Sequence, residues 1–547
     1  MLNYIHIIGI LLTVGILLAV SILSGRKVKD ARSFTTGGTS GSWMVCGAIL
    51  GTLVGGQSTI GTAQLAFSFG LSAWWFTIGA ALGALLLGIV YAKPLRSSGC
   101  STVMEVVRKQ FGRRAETVGS ILFLIGIFIS IVSQLLSSSA MISSLFGISS
   151  ALALTIGAIL IAALVLFGGI RSAGAGGIVK LLLLYICSLA AGVAVFHLAG
   201  SIPNIWHDLA NIFSIPQVAD ANAIIPPIAP ADPIVPTTIA NAIAPTDTIA
   251  TTIAPSATDP TAIANAPSPD PTTIANAIHH RYASLLARGP LKDLGGCLSL
   301  MLGVVCTQTY AQAIWSAKST KTARRGAVLC AAFIPLIGAA CTLVGIYMRG
   351  HYITAAEAAA IRAAGETIPD GIGIIENSLQ AFPAFIMAHL PAWMGGIALG
   401  TLLINILGSG SGLVLGAATI VSRDLVGNVL SLSHRQPRLD SLKQTRLAIV
   451  GILLLAIGAA LFVRGSFIND LGFLSLGLRA VVLLIPLSFA LWFPDRLNAK
   501  SVTLSMIVGS LVMLAAGILH LPPDAMYYGL AASALSIALT IPLTSIK

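Results

Sequence analysis

The sequence predicts an all-α integral membrane protein of about thirteen transmembrane helices, and three observations predict it. The 547 residues are 56% hydrophobic and 9% charged, with a mean hydropathy of +0.92. Soluble domains carry roughly 25% charged residues, so this composition cannot cover a core with a water-facing surface. Apolar runs of roughly 18–27 residues recur along almost the whole chain, each long enough to cross about 30 Å of hydrocarbon as a helix. Finally, Lys and Arg gather in short clusters between those runs, where the positive-inside rule places them. The net charge of +12 is therefore a topology signal, and nucleic acid is not an expected partner.

The spans fall at roughly 3–24, 43–67, 72–95, 116–146, 149–168, 175–200, 290–314, 325–348, 390–421, 445–463, 468–492, 501–519 and 525–545. The first run lacks a basic stretch before it and a small-residue cleavage site after it, so a retained span is expected, not a signal peptide. Arg26, Lys27, Lys29 and Arg32 follow the first span; Lys93, Arg96, Arg108, Lys109, Arg113 and Arg114 follow the third. Lys318, Lys321, Arg324 and Arg325 follow the seventh, and Arg423, Arg435, Arg438, Lys443 and Arg446 the ninth. All fall on one side, which sets the N-terminus outside and the C-terminus in the cytoplasm of a multi-pass plasma-membrane protein. The seven cysteines form no CxxC pair and mostly lie inside apolar runs. They read as small buried hydrophobes.

Between the sixth and seventh spans, residues 216–280 change character: Pro, Ala, Thr, Ile and Asp dominate, with near-repeats at 237–243 and 272–278. Proline at that density blocks helix interiors and central strands, so a disordered extracellular insert is expected. The domain reading is helices one to six in 1–215, the insert in 216–280, and helices seven to thirteen in 281–547.

Charges inside spans are costly and call for a cause. Glu116, Asp293, Asp424 and Asp470 all fall at span ends, so no carboxylate proton relay is expected. Lys180 lies one to two turns inside the sixth span, within snorkelling reach of the headgroups. Arg479 sits near the middle of the eleventh, roughly 15 Å from either surface at 1.5 Å per residue. It should face the bundle interior, held by backbone carbonyls or facing a translocated anion. Two spans look interrupted. The second concentrates Gly, hydroxyls and amides in Gly51-Thr52-Leu53-Val54-Gly55-Gly56-Gln57-Ser58-Thr59-Ile60-Gly61-Thr62-Ala63-Gln64, and the ninth in Asn405-Ile406-Leu407-Gly408-Ser409-Gly410-Ser411-Gly412. Unwinding there would free carbonyls for an ion and amides for a ligand; small-residue helix packing is the other reading of each.

At these residues the chain resembles the sodium:solute symporter family. The match runs through 51–99, with Ser68-Phe69-Gly70-Leu71 and Lys93-Pro94-Leu95-Arg96, then Gly168-Gly169-Ile170-Arg171, Gln312-Ala313-Ile314-Trp315-Ser316-Ala317-Lys318-Ser319, Pro391-Ala392-Trp393 and Arg423-Asp424-Leu425. The resemblance implies two inverted five-helix repeats, spans two to six (about 43–200) and seven to eleven (about 290–492), with one helix before and two after. It also implies alternating access around a midplane site. Carried over residue by residue, the sodium site falls on Gly51 and Val54 of the first core helix and on Asn405, Gly408 and Ser409 of the eighth. The solute site falls on Gln57, Ser58, Thr62, Thr307, Gln308 and Tyr310, joined by Arg479 for an anion.

Two departures bear on coupling. Gly408 and Ser409 stand where the family usually has two adjacent hydroxyls, and Gly177 and Lys180 stand where it commonly has Asp and Gln. Sodium-coupled symport of a small carboxylate or amino acid is the expected function. Proton-coupled or uncoupled transport with Lys180 in the cation's place, and a transport-dead sensor, are its rivals. Sodium is expected as coupling ion only, with no enzymatic cofactor; a small solute and the bilayer are the expected partners. An enzyme is not expected, because the His residues are scattered and no HExxH, GxSxG or Walker pattern occurs. Nor is there a repeated ligand ring of the kind a channel filter needs.

Overall fold

A computed structural model describes residues 3–13, 15, 40–100, 102–168, 175–213, 215, 218, 280–422, 441–463 and 466–544. The insert expected at 216–280 falls outside the described residues except for Val218 and His280, as do the basic clusters at 26–32 and 423–440. Among the described residues, eight helices are long and apolar enough to cross a membrane, or nine if Pro290–Cys306 and Gln308–Ser316, bent by 49°, count as one span. Four shorter apolar helices, Tyr4–Thr13, Ser42–Leu53, Ser150–Leu166 and Ala525–Thr540, accompany them. These helices line up with the thirteen predicted spans, because the long segment Gln57–Ser97 contains the second half of span two and the whole of span three.

Local chemistry sets the helix ends. Pro290 opens the seventh span at its first turn, where a missing N–H costs nothing. Ser319 caps the eighth through the Thr322 amide. The helix Val103–Phe146 starts earlier than the fourth span was expected to, at the Thr102 cap. Gly112, at φ 81°, divides a first stretch from the span proper, a conformation only glycine adopts cheaply.

The ninth span corrects an expectation. Ala392–Thr419 is one uninterrupted helix, so its Gly-Ser run is not a break. Its glycines serve close approach: a Cβ on Gly9 of the first span would lie 2.9 Å from the Gly396 Cα. Two of its hydroxyls fold back onto their own helix, Thr401 donating to the Ile397 carbonyl and Ser411 to that of Gly408.

At the end of the bundle that carries 93–114 and 318–325, three spans are tied together. Arg96, closing the third, donates through Nη1 to the carbonyls of Ile314, Trp315 and Ala317 at 3.1, 3.0 and 2.6 Å. A cation on carbonyls that the helix cannot satisfy is the favourable arrangement at a C-terminus. Trp315 Nε1 donates back to the Leu95 carbonyl at 2.6 Å, and Ser40, ahead of the second span, forms a parallel bridge with Ala317.

The opposite end is held by a buried ion pair. Arg349, 1% exposed in the last turn of Thr320–His351, donates Nη1 to Glu357 Oε2 at 2.9 Å and Nη2 to Oε1 at 2.8 Å. Its guanidinium also lies against the rings of Phe67 and Phe213, 4.9 and 5.0 Å from their centroids. Glu357 closes a capping box with Thr354. Burial alone would raise its carboxyl pKa, but Arg349 and Thr354 hold it below the ordinary value. Removing one partner of a buried pair leaves the other charge stranded, at a cost of roughly 3–5 kcal/mol. Glu357→Ala is therefore expected to lower the detergent melting temperature by several degrees; an unchanged melt would show that the pair contributes little.

Asp524, capping the last helix through the Met526 amide at 2.9 Å, behaves oppositely. Burial, with Asp470 nearby, pushes its carboxyl up to about 6 against the pull of Met526, Arg288 and Lys292. Folding is favoured while this acid is protonated, and the advantage is lost as pH rises from the ordinary Asp value through about 6. Asp524→Asn, which keeps a capping oxygen, should melt above wild type at pH 7.5 and show less loss of stability across that window.

Candidate functional site

The second span breaks where glycine and hydroxyls concentrate. Ser42–Leu53 ends at Val54, whose φ of −88° and ψ of 98° are extended, and the chain resumes through the π-turn Gln57–Gly61 into Thr62–Phe69. Side chains bind carbonyls around the break: Ser58 Oγ donates to Leu53 O at 3.1 Å, Thr59 Oγ1 to Gly55 O at 3.0 Å and Thr62 Oγ1 to Gln57 O at 3.3 Å. In hydrocarbon each such group left unsatisfied would cost several kcal/mol. The glycine pair lets two neighbouring spans press onto the break. A Cβ on Gly56 would stand 2.4 Å from Ser137 Cβ, and one on Gly55 would stand 2.9 Å from Gln134 Nε2 and 3.0 Å from Ser409 Oγ.

Three amides converge there. Asn405 Nδ2 of the ninth span donates to the Val54 carbonyl at 2.9 Å, Gln134 Oε1 of the fourth accepts from the Gly56 amide at 3.2 Å, and Gln57 Nε2 donates to Ser133 Oγ at 2.9 Å. Ser409 is 7% exposed, and its hydroxyl has no hydrogen-bond partner among the described residues.

The seventh span is also broken, which the sequence reading did not anticipate. Helix stops at Cys306, Thr307 is extended at φ −83° and ψ 125°, and a second helix starts at Gln308. Thr307 Oγ1 donates to the Gly303 carbonyl at 2.7 Å and accepts from Arg479 Nη1 at 3.4 Å. Arg479, 2% exposed, faces the bundle interior as expected; its Nη2 donates to Ser130 Oγ at 2.7 Å, Ser475 Oγ at 2.8 Å and the Gly126 carbonyl at 3.4 Å. Its acceptors are thus neutral oxygens, Nε has no partner, and none of the ion pairs among the described residues includes it. Tyr310, buried one turn beyond the break, lies close enough to interact with this charge.

The structure therefore brings Val54, Gln57, Asn405 and Ser409 around one break, and Thr307, Tyr310 and Arg479 around the other. Ser58 and Thr62 are buried beside the first, with their hydroxyls on local backbone. Gly51 lies one turn earlier, still within helix, and the Gly408 carbonyl accepts from Ser411. Gln308 is not part of either group: its Oε1 accepts the Val103 amide at 2.7 Å. Gly177 and Lys180 fall on the helix Ala175–Ala199, and their side chains lie outside the described residues. Sequence reading missed Ser130, Ser133, Gln134 and Ser137, which connect both breaks to the fourth span. Their i, i+3, i+4, i+7 spacing marks one polar helix face, and that periodicity was the available signal.

Two broken spans inside a helical bundle, beside one of them a buried cation that lies over the Phe123 ring and has no acidic partner among the described residues, are the construction of a membrane transport protein. The chain belongs to the sodium:solute symporter family, whose sequence profile matches residues 34–509. It is 26% identical over 177 residues to the "Uncharacterized symporter YwcA" of Bacillus subtilis (strain 168), a match spanning 32% of this chain and 34% of that relative's length. Across 99% of this chain and 98% of the other, the fold aligns at a TM-score of 0.64 and 16% identity with a Na+-coupled sialic acid symporter in a substrate-bound outward-open state. A nucleobase-cation-symport-1 family transporter in a closed conformation aligns at 0.49 with 14% identity over 94% of each chain.

The Gly56 contact gives a test of the first break. Gly56→Ala forces its new methyl into Ser137, an overpacking worth about 1–3 kcal/mol, and should lower both melting temperature and uptake. Adding Ser137→Gly should restore both; failure of that rescue would locate the glycine requirement elsewhere.

Proposed function

We propose that the protein is a sodium-coupled symporter of a small organic solute that bears a carboxylate group, a carboxylate or an amino acid, working by alternating access. The observation that carries the reading is Arg479. A guanidinium held by neutral hydroxyls and a carbonyl in a bundle interior keeps most of its desolvation penalty, and a solute carboxylate on the same donors would offset it with charge-assisted hydrogen bonds. Thr307 and Tyr310 beside it, and Gln57, Ser58 and Thr62 at the other break, are the proposed solute contacts; Gln308, turned to the Val103 amide, is left outside the set.

Sodium enters as a co-transported substrate. Small, hard cations take oxygen ligands, and the carbonyls of Gly51, Val54, Asn405 and Gly408 with the Ser409 hydroxyl form the proposed set. Family membership and the buried Ser409 hydroxyl support it. Two inverted core repeats, about 43–200 and 290–492 and separated by the 216–280 insert, are the proposed frame, with one bundle moving against a scaffold around the midplane site. The basic clusters support a cytoplasmic position for the end that Arg96 ties, with the N-terminus outside and the protein in the plasma membrane.

Uptake into proteoliposomes under separate sodium and proton gradients tests this. Sodium should drive uptake of a labelled carboxylate, and Arg479→Gln should raise its KM at least about tenfold, equivalent to about 1.4 kcal/mol of lost interaction. An unchanged KM for an anionic solute would make Arg479 structural. Proton-driven uptake lost in Lys180→Ala would replace sodium with the lysine reading, and no uptake of any solute would favour a sensor.

A further inference from the structure

The oxygens proposed for sodium are not equally available. The Val54 carbonyl, released by the break in the second span, already accepts an N–H from Asn405 at 2.9 Å. Asn405 is fully buried, and the Ser409 hydroxyl, one turn along the same helix, has no hydrogen-bond partner among the described residues. That hydroxyl stands against Gly55, 3.0 Å from where a Cβ would be, so it points to the same stretch of opened backbone. A hydroxyl oxygen and a carbonyl oxygen are thus brought to one place, and an amide N–H sits on the second of them.

Resting on the sodium reading above, we propose that the Asn405 carboxamide is a built-in competitor of the coupling ion. It clamps the broken second span to the ninth when no ion is bound, and sodium must displace it from the Val54 carbonyl to bind. An amide hydrogen and a cation both seek the same electron density on a carbonyl oxygen. A buried carbonyl that gives up an amide hydrogen to take a cation exchanges one partner for the other, so the two compete. The device lowers sodium affinity and couples ion binding to release of the contact between these two spans. A purely structural clamp would leave sodium affinity untouched; a direct ligand role for the side chain would make its removal weaken binding.

Binding of 22Na+ to the purified protein, with melting temperature measured in sodium and in a choline replacement, tests the inference without relying on transport. In Asn405→Ala sodium should bind at least about twofold more tightly, the low end of one net hydrogen bond. The sodium-free melting temperature should fall, and the sodium-induced rise should grow. If that variant does not fold, Asn405→Ser, too short to keep the same bond, should show the same tightening. Sodium binding that is unchanged or weaker in the folded variant overturns the competitor role while leaving sodium coupling standing. A wild-type protein that binds no 22Na+ overturns the sodium reading itself, and this inference with it.

Discussion

The controlling constraint is that backbone polar groups inside hydrocarbon must find partners within the protein. Most of the chain meets it with continuous helix, and every departure from helix then has to be compensated by side chains. The second span shows how: Ser58, Thr59 and Thr62 bind local carbonyls, while Asn405 and Gln134 reach in from other helices to Val54 and Gly56. Each break draws a cluster of polar side chains, from its own segment and from the unbroken helices packed against it.

The two breaks solve the problem differently. The first relies on glycines, whose missing side chains admit Ser137 and Gln134 to the backbone. The second has no glycine at the break; Thr307 binds back to Gly303, and its oxygen takes an N–H from Arg479. The fourth span touches both, through Ser133 to Gln57 and through Ser130 to Arg479. A displacement at either break is therefore felt on one polar helix face.

How much of this was legible in the sequence follows from the same physics. Membrane spans were readable because length and apolarity are collective properties of twenty residues, and the second break because glycine, hydroxyl and amide coincide in 51–64. The ninth span carried a similar composition and is an unbroken helix. Composition does not distinguish a glycine that opens backbone from one, such as Gly396, that admits a neighbouring helix. The break at Thr307 was hidden because Cys306, Thr307 and Gln308 carry no strong helix-breaking signal; tertiary bonds hold it. Arg479 was readable as an oddity, since a charge at mid-span has few explanations, but its partners are the Gly126 carbonyl and the hydroxyls of Ser130, Thr307 and Ser475, and no single sequence window contains them.

The pair of Arg349 and Glu357 has a consequence for how the sequence can drift. Replacing either residue alone strands the other charge in a site lined by Phe67 and Phe213, so each one-step intermediate is worse than both endpoints. A fully apolar pair of matching volume would be tolerated, yet it is reached only by two changes together. Glu357 also accepts from the backbone N–H of Thr354, so a third position would have to adapt. Around the last turn of the eighth span, single substitutions meet a barrier set by charge burial alone.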